Sequence, residues 1–224
     1  MGLFNRLTSS IRAKSRNRQT MVSAMPDYRD QMCDELKRAL NDAVEELGVS
    51  MKRLKMQQSS LESCVLLLDT RARSAVSEGR CRPAAVALYH KSKALEQIQQ
   101  ISGYSEALDR TKTRLEELGY RLVVKKQKFQ SEQYSVRSRY MVVDEADFFT
   151  CEAAAGMDEE MADVEYAIGR AKAKVDVASD LLIAAETAAY SYEVQSSSGD
   201  EIPDEELAEA MRMARALISG GDLH

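Results

Sequence analysis

From Leu47 to Ala72, apolar residues recur at alternating intervals of four and three positions. A spacing of about 3.5 residues draws one narrow apolar seam along a helix and is typical of coiled coils. We therefore predict a helix over 26–78, roughly 80 Å long at about 1.5 Å per residue, which is too long for a compact globule. The seam residues are Leu47, Met51, Leu54, Gln58, Leu61, Val65, Leu68 and Ala72.

Three prolines mark the expected starts of helices, at Pro26, Pro83 and Pro203. Proline is tolerated in the first turn of a helix and disrupts the interior. Because the turn region 77–83 is short, the helices on either side should be antiparallel neighbours. The predicted class is all-α, built on a long antiparallel coiled-coil hairpin. Its segments are 26–78 and 83–150 as hairpin arms, 155–193 as a further helix, 194–202 as a linker and 203–219 as a short amphipathic helix.

Two more seams follow the first. The seam of 83–150 is weaker and contains Gly103 and Gly119, each of which marks either a soft point or a close approach of two helices. The seam from Met157 to Tyr192 alternates four and three without a break, but it is rich in Ala and Val. Such a seam buries little area, and burial stabilises by only about 25 cal/mol per Å². We expect this helix to need the hairpin or a second chain.

Residues 1–22 combine a small apolar face with a basic polar face. This pattern is typical of a helix that lies in the interface of an anionic membrane, where each base contributes about 1 kcal/mol. A nucleic-acid-binding arm is disfavoured, since Phe4 is the one aromatic residue here and much of the remaining chain is acidic. A helix that docks on its own protein stays an open alternative. The apolar residues are Leu3, Phe4, Leu7 and Ile11, and the bases are Arg6, Arg12, Lys14, Arg16 and Arg18.

The sequence offers no recognisable catalytic or cofactor motif. It has no Gly-rich phosphate loop and no H-E-x-x-H or G-x-S-x-G pattern. His90 is expected at the surface, and the acids at 158–160 are expected to form a solvated face at a helix start. The four cysteines lack metal-ligand spacing, and no apolar run reaches the roughly 20 residues that span a bilayer. We predict a cytoplasmic, non-enzymatic protein without metal or cofactor, peripheral to any membrane it meets.

Four short stretches, in an order that covers about residues 1–192, carry a family resemblance. They are Met1–Leu7, Ala24–Asp27, Ala84–Lys91 and Met157–Met161. They resemble the opening, the connector, the hairpin tip and the acidic start of the fourth helix in the phage shock protein A family. That family and its plastid vesicle-inducing relatives are the bacterial cousins of the ESCRT-III membrane-remodelling proteins.

The resemblance implies a large homo-oligomer that forms rods or rings on the inner face of the cytoplasmic membrane and remodels the bilayer under stress. Anionic phospholipid and further copies of the chain are its implied partners. The helix at 203–219 is loosely similar to helices that ESCRT-III proteins offer to an ATPase, so it is either a regulatory docking site or an inert tail. A soluble coiled-coil adaptor is the alternative function. The implied self-assembly residues are Ala84, Ala87, Leu88, Lys91, Met157, Met161, Val164, Ile168, Val175 and Leu182.

Overall fold

The computed structural model describes residues 25–139, 143–194 and 202–219, with side chains over 29–135, 154–192 and 202–219. Every regular element in these ranges is an α-helix, which confirms the all-α prediction. The predicted helix at 1–22 and most of the predicted linker lie outside the described residues. The helices are α1 (Met25–Ser77), α2 (Cys81–Arg139), α3 (Val143–Val194) and α4 (Asp204–Ile218).

Each proline lies at the beginning of a helix. Pro26 is the second residue of α1, Pro83 lies in the first turn of α2, and Pro203 is the N-cap of α4 with φ −56°. In the first turn of a helix the backbone N–H groups have no acceptor within the helix, so a proline there removes no hydrogen bond. The proline ring therefore favours the helix starts instead of interrupting them.

The third helix begins well before the predicted residue 155, at Val143, and α2 ends at Arg139 instead of near 150. The run Ala153–Ala155 consists of the strongest helix former, which offsets the cost of about 1 kcal/mol for the following glycine. A Cβ atom added at Gly156 would meet only the Lys125 ammonium, at 3.7 Å. The alanine run therefore lies inside α3, and the acids at 158–160 do not open a helix.

The chain divides into two units, and the first contains residues 1–41 and 117–166. Within it, α1 and α2 are antiparallel, since the Lys126 ammonium contacts an oxygen of Asp34 at 2.7 Å and Gln130 donates to Asp30 at 3.0 Å. The start of α3 adds a third layer. The core consists of Cys33, Leu36, Leu40, Leu118, Leu122, Phe129, Ala154, Met157, Met161 and Val164.

Gly119, in the first unit, marks a close approach of two helices and not a soft point. An added Cβ atom would lie 3.2 Å from a methyl group of Leu40, so the missing side chain permits a close approach of α1 and α2. At Gly103, in the second unit, an added Cβ atom would meet nothing within 4 Å. Close packing therefore accounts for Gly119 and not for Gly103.

Two of the three acids at 158–160 are ion-paired, which corrects the expectation of a solvated face for them, whereas Glu159 is exposed. Asp158 lies 3.3 Å from Arg29 of α1, and Glu160 lies 3.1 Å from Arg121 of α2. Glu160 is only 8% exposed. These carboxylates connect α3 to both other helices of the first unit.

The second unit contains residues 42–116 and 167–224. The seam leucines of α1 are fully buried there, and α1 contacts α2 through the ion pair of Asp69 with Lys91. α3 also packs on α2, because the Tyr104 hydroxyl donates to the Lys174 carbonyl at 2.9 Å. Leu95 of α2 is 48% exposed, and the neighbouring, smaller Ala94 is buried. The core includes Leu47, Leu54, Leu61, Leu68, Ala94, Ile101, Leu108, Leu115, Ile168, Ala171, Ala178 and Ala185.

Leu61→Ala should lower the free energy of unfolding by about 2–5 kcal/mol, the usual cost of emptying a buried leucine site. Leu61 is 0% exposed, whereas Leu66 on the outer side of the same helix is 70% exposed. Leu66→Ala is the matched control and should change stability by less than about 0.5 kcal/mol. Urea titrations followed by circular dichroism measure both. Equal losses in the two variants would contradict the buried seam.

Candidate functional site at the turn between α1 and α2

A tight turn joins α1 to α2 at Glu78–Arg80. Gly79 adopts φ +70°, the left-handed conformation that favours glycine at the end of a helix. The Gly79 N–H donates to the Val76 carbonyl at 3.0 Å, and the Arg80 N–H donates to the Ala75 carbonyl at 2.8 Å. These bonds satisfy the last carbonyl groups of α1, so α2 can turn back directly alongside it.

Five alanines pack where α4 crosses this turn. They come from three helices and are 4% exposed or less: Ala75, Ala84, Ala85, Ala210 and Ala214. Side chains this small allow three helix backbones to approach closely. Larger apolar side chains surround the alanines as a partly buried rim, formed by Val76, Leu88, Tyr89, Leu207 and Met211. We call these ten residues the turn cluster.

Charged groups border the turn cluster on one side. The Lys93 ammonium lies 3.7 Å from the Glu206 carboxylate of α4 and 5.7 Å from the ring centroid of Tyr89. Burial, with the hydrogen bond and negative charge of Glu206, raises the pKa of Tyr89. One aromatic ring and one ion pair thus orient the start of α4.

Beside the turn cluster, His90 of α2 packs against Tyr192 near the end of α3. It is 6% exposed, which corrects the expectation of a surface histidine. Its ring centroid lies 5.1 Å from that of Tyr192 and 5.3 Å from that of Tyr89. Burial lowers the pKa of His90, and burial raises the pKa of Tyr192 to about 12. Since α3 covers this side of α2, His90 becomes an interior residue.

An open cavity of about 410 Å³ borders His90 and is lined mainly by polar side chains. The Nδ1 atom of His90 and the Oε1 atom of Gln97 are buried and lack a hydrogen-bond partner within the described residues. Charged groups at the cavity are Lys93 and Glu96. Ser191 also lines the cavity, and its hydroxyl donates to the Ala188 carbonyl at 2.8 Å. Within the described chain there is no group of three or more potential metal ligands.

The implied self-assembly residues of the turn are engaged within the chain. Ala84 and Leu88 belong to the turn cluster, and Ala87 is buried. The Lys91 ammonium lies 2.6 Å from Asp69 of α1, and this hydrogen bond lowers the pKa of the carboxyl group. The structure therefore brings these four residues together but covers three of them.

The implied self-assembly residues of α3 face inward as well. Met157, Met161, Val164 and Ile168 are each 3% exposed or less, in the cores of their respective units. Val175 and Leu182 are half-buried. The proposed membrane-binding residues lie outside the described residues: Leu3, Phe4, Arg6, Leu7, Ile11, Arg12, Lys14, Arg16 and Arg18.

Sequence reasoning missed the contact of α4 with the turn. The spacing of Leu207, Ala210, Met211 and Ala214 places them on one helical face, so the apolar face itself was visible in the sequence. Nothing in the spacing states which surface that face covers. Of the residues the structure describes, no helix is long and apolar enough to cross a bilayer. Comparison with models of protein families, with curated proteins and with solved structures finds no match to this chain.

Ala214→Glu should release α4 from the turn, because a carboxylate buried among alanines costs several kcal/mol. Amide hydrogen exchange over 204–218 should then accelerate at least tenfold. Ala208→Glu is the matched control, since Ala208 is exposed on the same helix. Unchanged exchange in Ala214→Glu would contradict the alanine contact.

Stability should fall as the pH drops below about 6.5. The pKa of His90 is lowered in the folded chain from its ordinary value of 6.5, so the unfolded chain binds the proton first. The contribution is present above pH 6.5 and decreases below it, by at most about 1.4 kcal/mol per pH unit. Urea titrations at pH 7.5 and 5.5 test this. His90→Gln should remove most of the difference, and an equal difference in the variant would assign it to other groups.

Proposed function

We propose that this chain is a non-enzymatic, peripheral membrane-binding protein that self-assembles into large homo-oligomers and remodels or maintains a bilayer. The observation that carries the proposal is the weak cover over the turn. Ala84 and Leu88, which the family resemblance assigns to self-assembly, pack against α4 of the same chain. A covered surface supports regulated assembly if its cover can be released.

The cover by α4 is small. Ala210 and Ala214 are the buried residues of this helix, and Leu207 and Met211 are only partly buried. At about 25 cal/mol per Å², such a contact contributes a few kcal/mol. Ordering the segment that carries α4 costs conformational entropy, which opposes the contact. A contact this small supports reversible docking of α4.

Lipid contact is assigned to residues 1–22 on the sequence alone. Four apolar side chains and five bases make a modest anchor for one chain. In an oligomer, many such anchors act together, and the avidity of linked contacts exceeds the affinity of each. Self-assembly and membrane binding on the inner face of the cytoplasmic membrane thus form one proposal.

Deletion of residues 1–22 should abolish co-sedimentation with anionic liposomes, because it removes the proposed anchor. Neutral liposomes should bind the full chain at least tenfold less, since charge supplies much of the affinity. The matched control is a full chain in which the order of residues 1–22 is scrambled within each helical face, so that the apolar face and the basic face are both kept, and it should still bind.

Negative-stain microscopy of the full chain with anionic liposomes completes the test. Rods, rings or spirals on deformed vesicles are expected. Discrete dimers and equal pelleting of the full and shortened chains would instead favour a soluble coiled-coil adaptor.

A further inference from the structure

Two tyrosine rings from different helices enclose His90. Its ring centroid lies 5.3 Å from that of Tyr89, its neighbour on α2, and 5.1 Å from that of Tyr192, in the last turn of α3. His90 and Tyr192 are each 6% exposed. Because the Tyr192 ring covers the imidazole, the burial of His90 depends on the position of the end of α3.

The surroundings of His90 suit a neutral imidazole and not an imidazolium. Its Nδ1 atom is buried without a hydrogen-bond partner, and no carboxylate lies within 4.0 Å of the ring, among the residues described. Gln97, whose buried Oε1 atom also has no partner there, lies seven residues further on, about 10 Å along the helix. A proton added to His90 would thus bury a charge that has neither an acceptor nor a counter-charge, which is strongly unfavourable.

Among the titratable groups around His90 and Tyr192, His90 is the one that responds to mild acid. Histidine is the side chain whose ordinary pKa lies between about 5 and 8, whereas carboxyl groups titrate at about 4 and thiols, phenols and ammonium groups above about 8. Burial raises the pKa of Tyr192 to about 12, and burial with the hydrogen bond and charge of Glu206 raises the pKa of Tyr89. The other groups are Tyr89, Lys93 and Glu96 on α2, Cys64 on α1, Tyr192 on α3 and Glu206 on α4.

The end of α3 is the weakly held side of this enclosure. Between Ala185 and Tyr192, which are both buried, residues 186–191 are exposed or half-buried. The Ser191 hydroxyl donates to a carbonyl of its own helix and not to α2. The open cavity of about 410 Å³ lies between this end of α3 and α2, since residues of both helices line it. Displacement of the last two turns of α3 therefore disrupts one large buried contact, that of Tyr192.

The same enclosure adjoins the start of α4. Ile202, two residues before α4, lines the cavity together with Tyr192 and is half-buried. Tyr89 belongs to the rim of the turn cluster and interacts with Glu206 in the first turn of α4. The position of Tyr192 and the docking of α4 therefore depend on neighbouring contacts around one histidine.

We infer that protonation of His90 displaces the end of α3 and thereby releases α4 from the turn cluster. In the open form the imidazole is hydrated and takes up a proton at its ordinary pKa, whereas the closed form excludes the proton, so acid favours the open form. This inference rests on the proposed function and names its regulation, since acidification would uncover Ala84 and Leu88 for assembly.

Amide hydrogen exchange of the full chain at pH 7.5 and 5.5 tests the release, with protection factors corrected for the effect of pH on intrinsic exchange. Protection over 186–194 and 204–218 should fall about five- to tenfold at pH 5.5, because an ordinary histidine in the open form is then mostly protonated. Residues 101–115 include Leu108 and Leu115, which are at most 1% exposed. They should stay at least about tenfold better protected at both pH values, which distinguishes a local opening from unfolding of the whole chain.

His90→Gln and His90→Phe should both lose this pH dependence, since neither new side chain takes up a proton and Phe also keeps a ring between the two tyrosines. His224→Gln changes the other histidine of the chain, so it is the matched control and should keep the pH dependence. Circular dichroism checks that every variant folds. Equal protection of the unchanged chain at the two pH values, or the same fall in His90→Phe, would overturn the inference.

Pelleting assays at the same two pH values separate the inference from the proposed function. Assembly at a lower protein concentration at pH 5.5, lost in His90→Phe, supports both. His90→Phe also controls for general loss of solubility, because the net charge of −5 shrinks in acid in every variant. If assembly occurs but exchange does not respond to pH, the inference is overturned and the proposed function stands. If exchange responds as expected and the chain stays monomeric at both pH values, with and without liposomes, the release of α4 stands and the proposed function is overturned.

Discussion

The helices of this chain depend on burying seams only one or two residues wide. Leu47, Leu54, Leu61 and Leu68 are each 0% exposed, and most other positions of α1 face solvent. A long helix with one such seam gains little from helix propensity alone and needs tertiary packing for its stability. This constraint explains why α1 must have α2 beside it and why the turn at Gly79 has to be short.

Because the seam of α3 is rich in alanine, α3 depends on tertiary packing even more than α1 does. Ala171, Ala178 and Ala185 bring α3 close to its neighbours but remove little apolar surface from water. Polar contacts supplement the seam in each unit. In the first, Asp158 and Glu160 pair with bases of α1 and α2; in the second, Lys174 and Tyr104 hold α3 to α2. Where the seam is weakest, specific hydrogen bonds therefore set the position of the helix.

Much of the helical organisation was predictable from the sequence, because apolar periodicity and proline positions are local signals. The leucine seam of α1, the helix starts near the three prolines and the apolar run from Met157 to Tyr192 are all such signals. The partner of each seam was not predictable, because periodicity describes a face and not what covers it. His90 shows the consequence: its neighbours in sequence are polar, but α3 and Tyr192 bury it.

The candidate site was predictable only in part, for the same reason. Ala84 and Leu88 were singled out by a resemblance, whereas the contact with Ala210 and Ala214 depends on where α4 returns. Gly119 was ambiguous until the distance to Leu40 distinguished close approach from softness. The sequence alone does not distinguish a mid-helix glycine that permits close packing of two helices from one that only weakens its own helix.

The energetic cost of exposing buried seams orders the steps of any assembly. Releasing α3 would expose Met157, Met161, Val164 and Ile168, at about 1.5–3 kcal/mol for each large apolar side chain. The total of roughly 6–12 kcal/mol is comparable to the whole stability of an ordinary domain. Contacts through side chains that are already exposed, such as Met56, Leu66 and Tyr190, uncover nothing that is buried in the single chain. A first encounter between copies should therefore use such side chains, and exchange of the inner seams between copies would follow only where neighbouring subunits or a membrane supply compensating contacts.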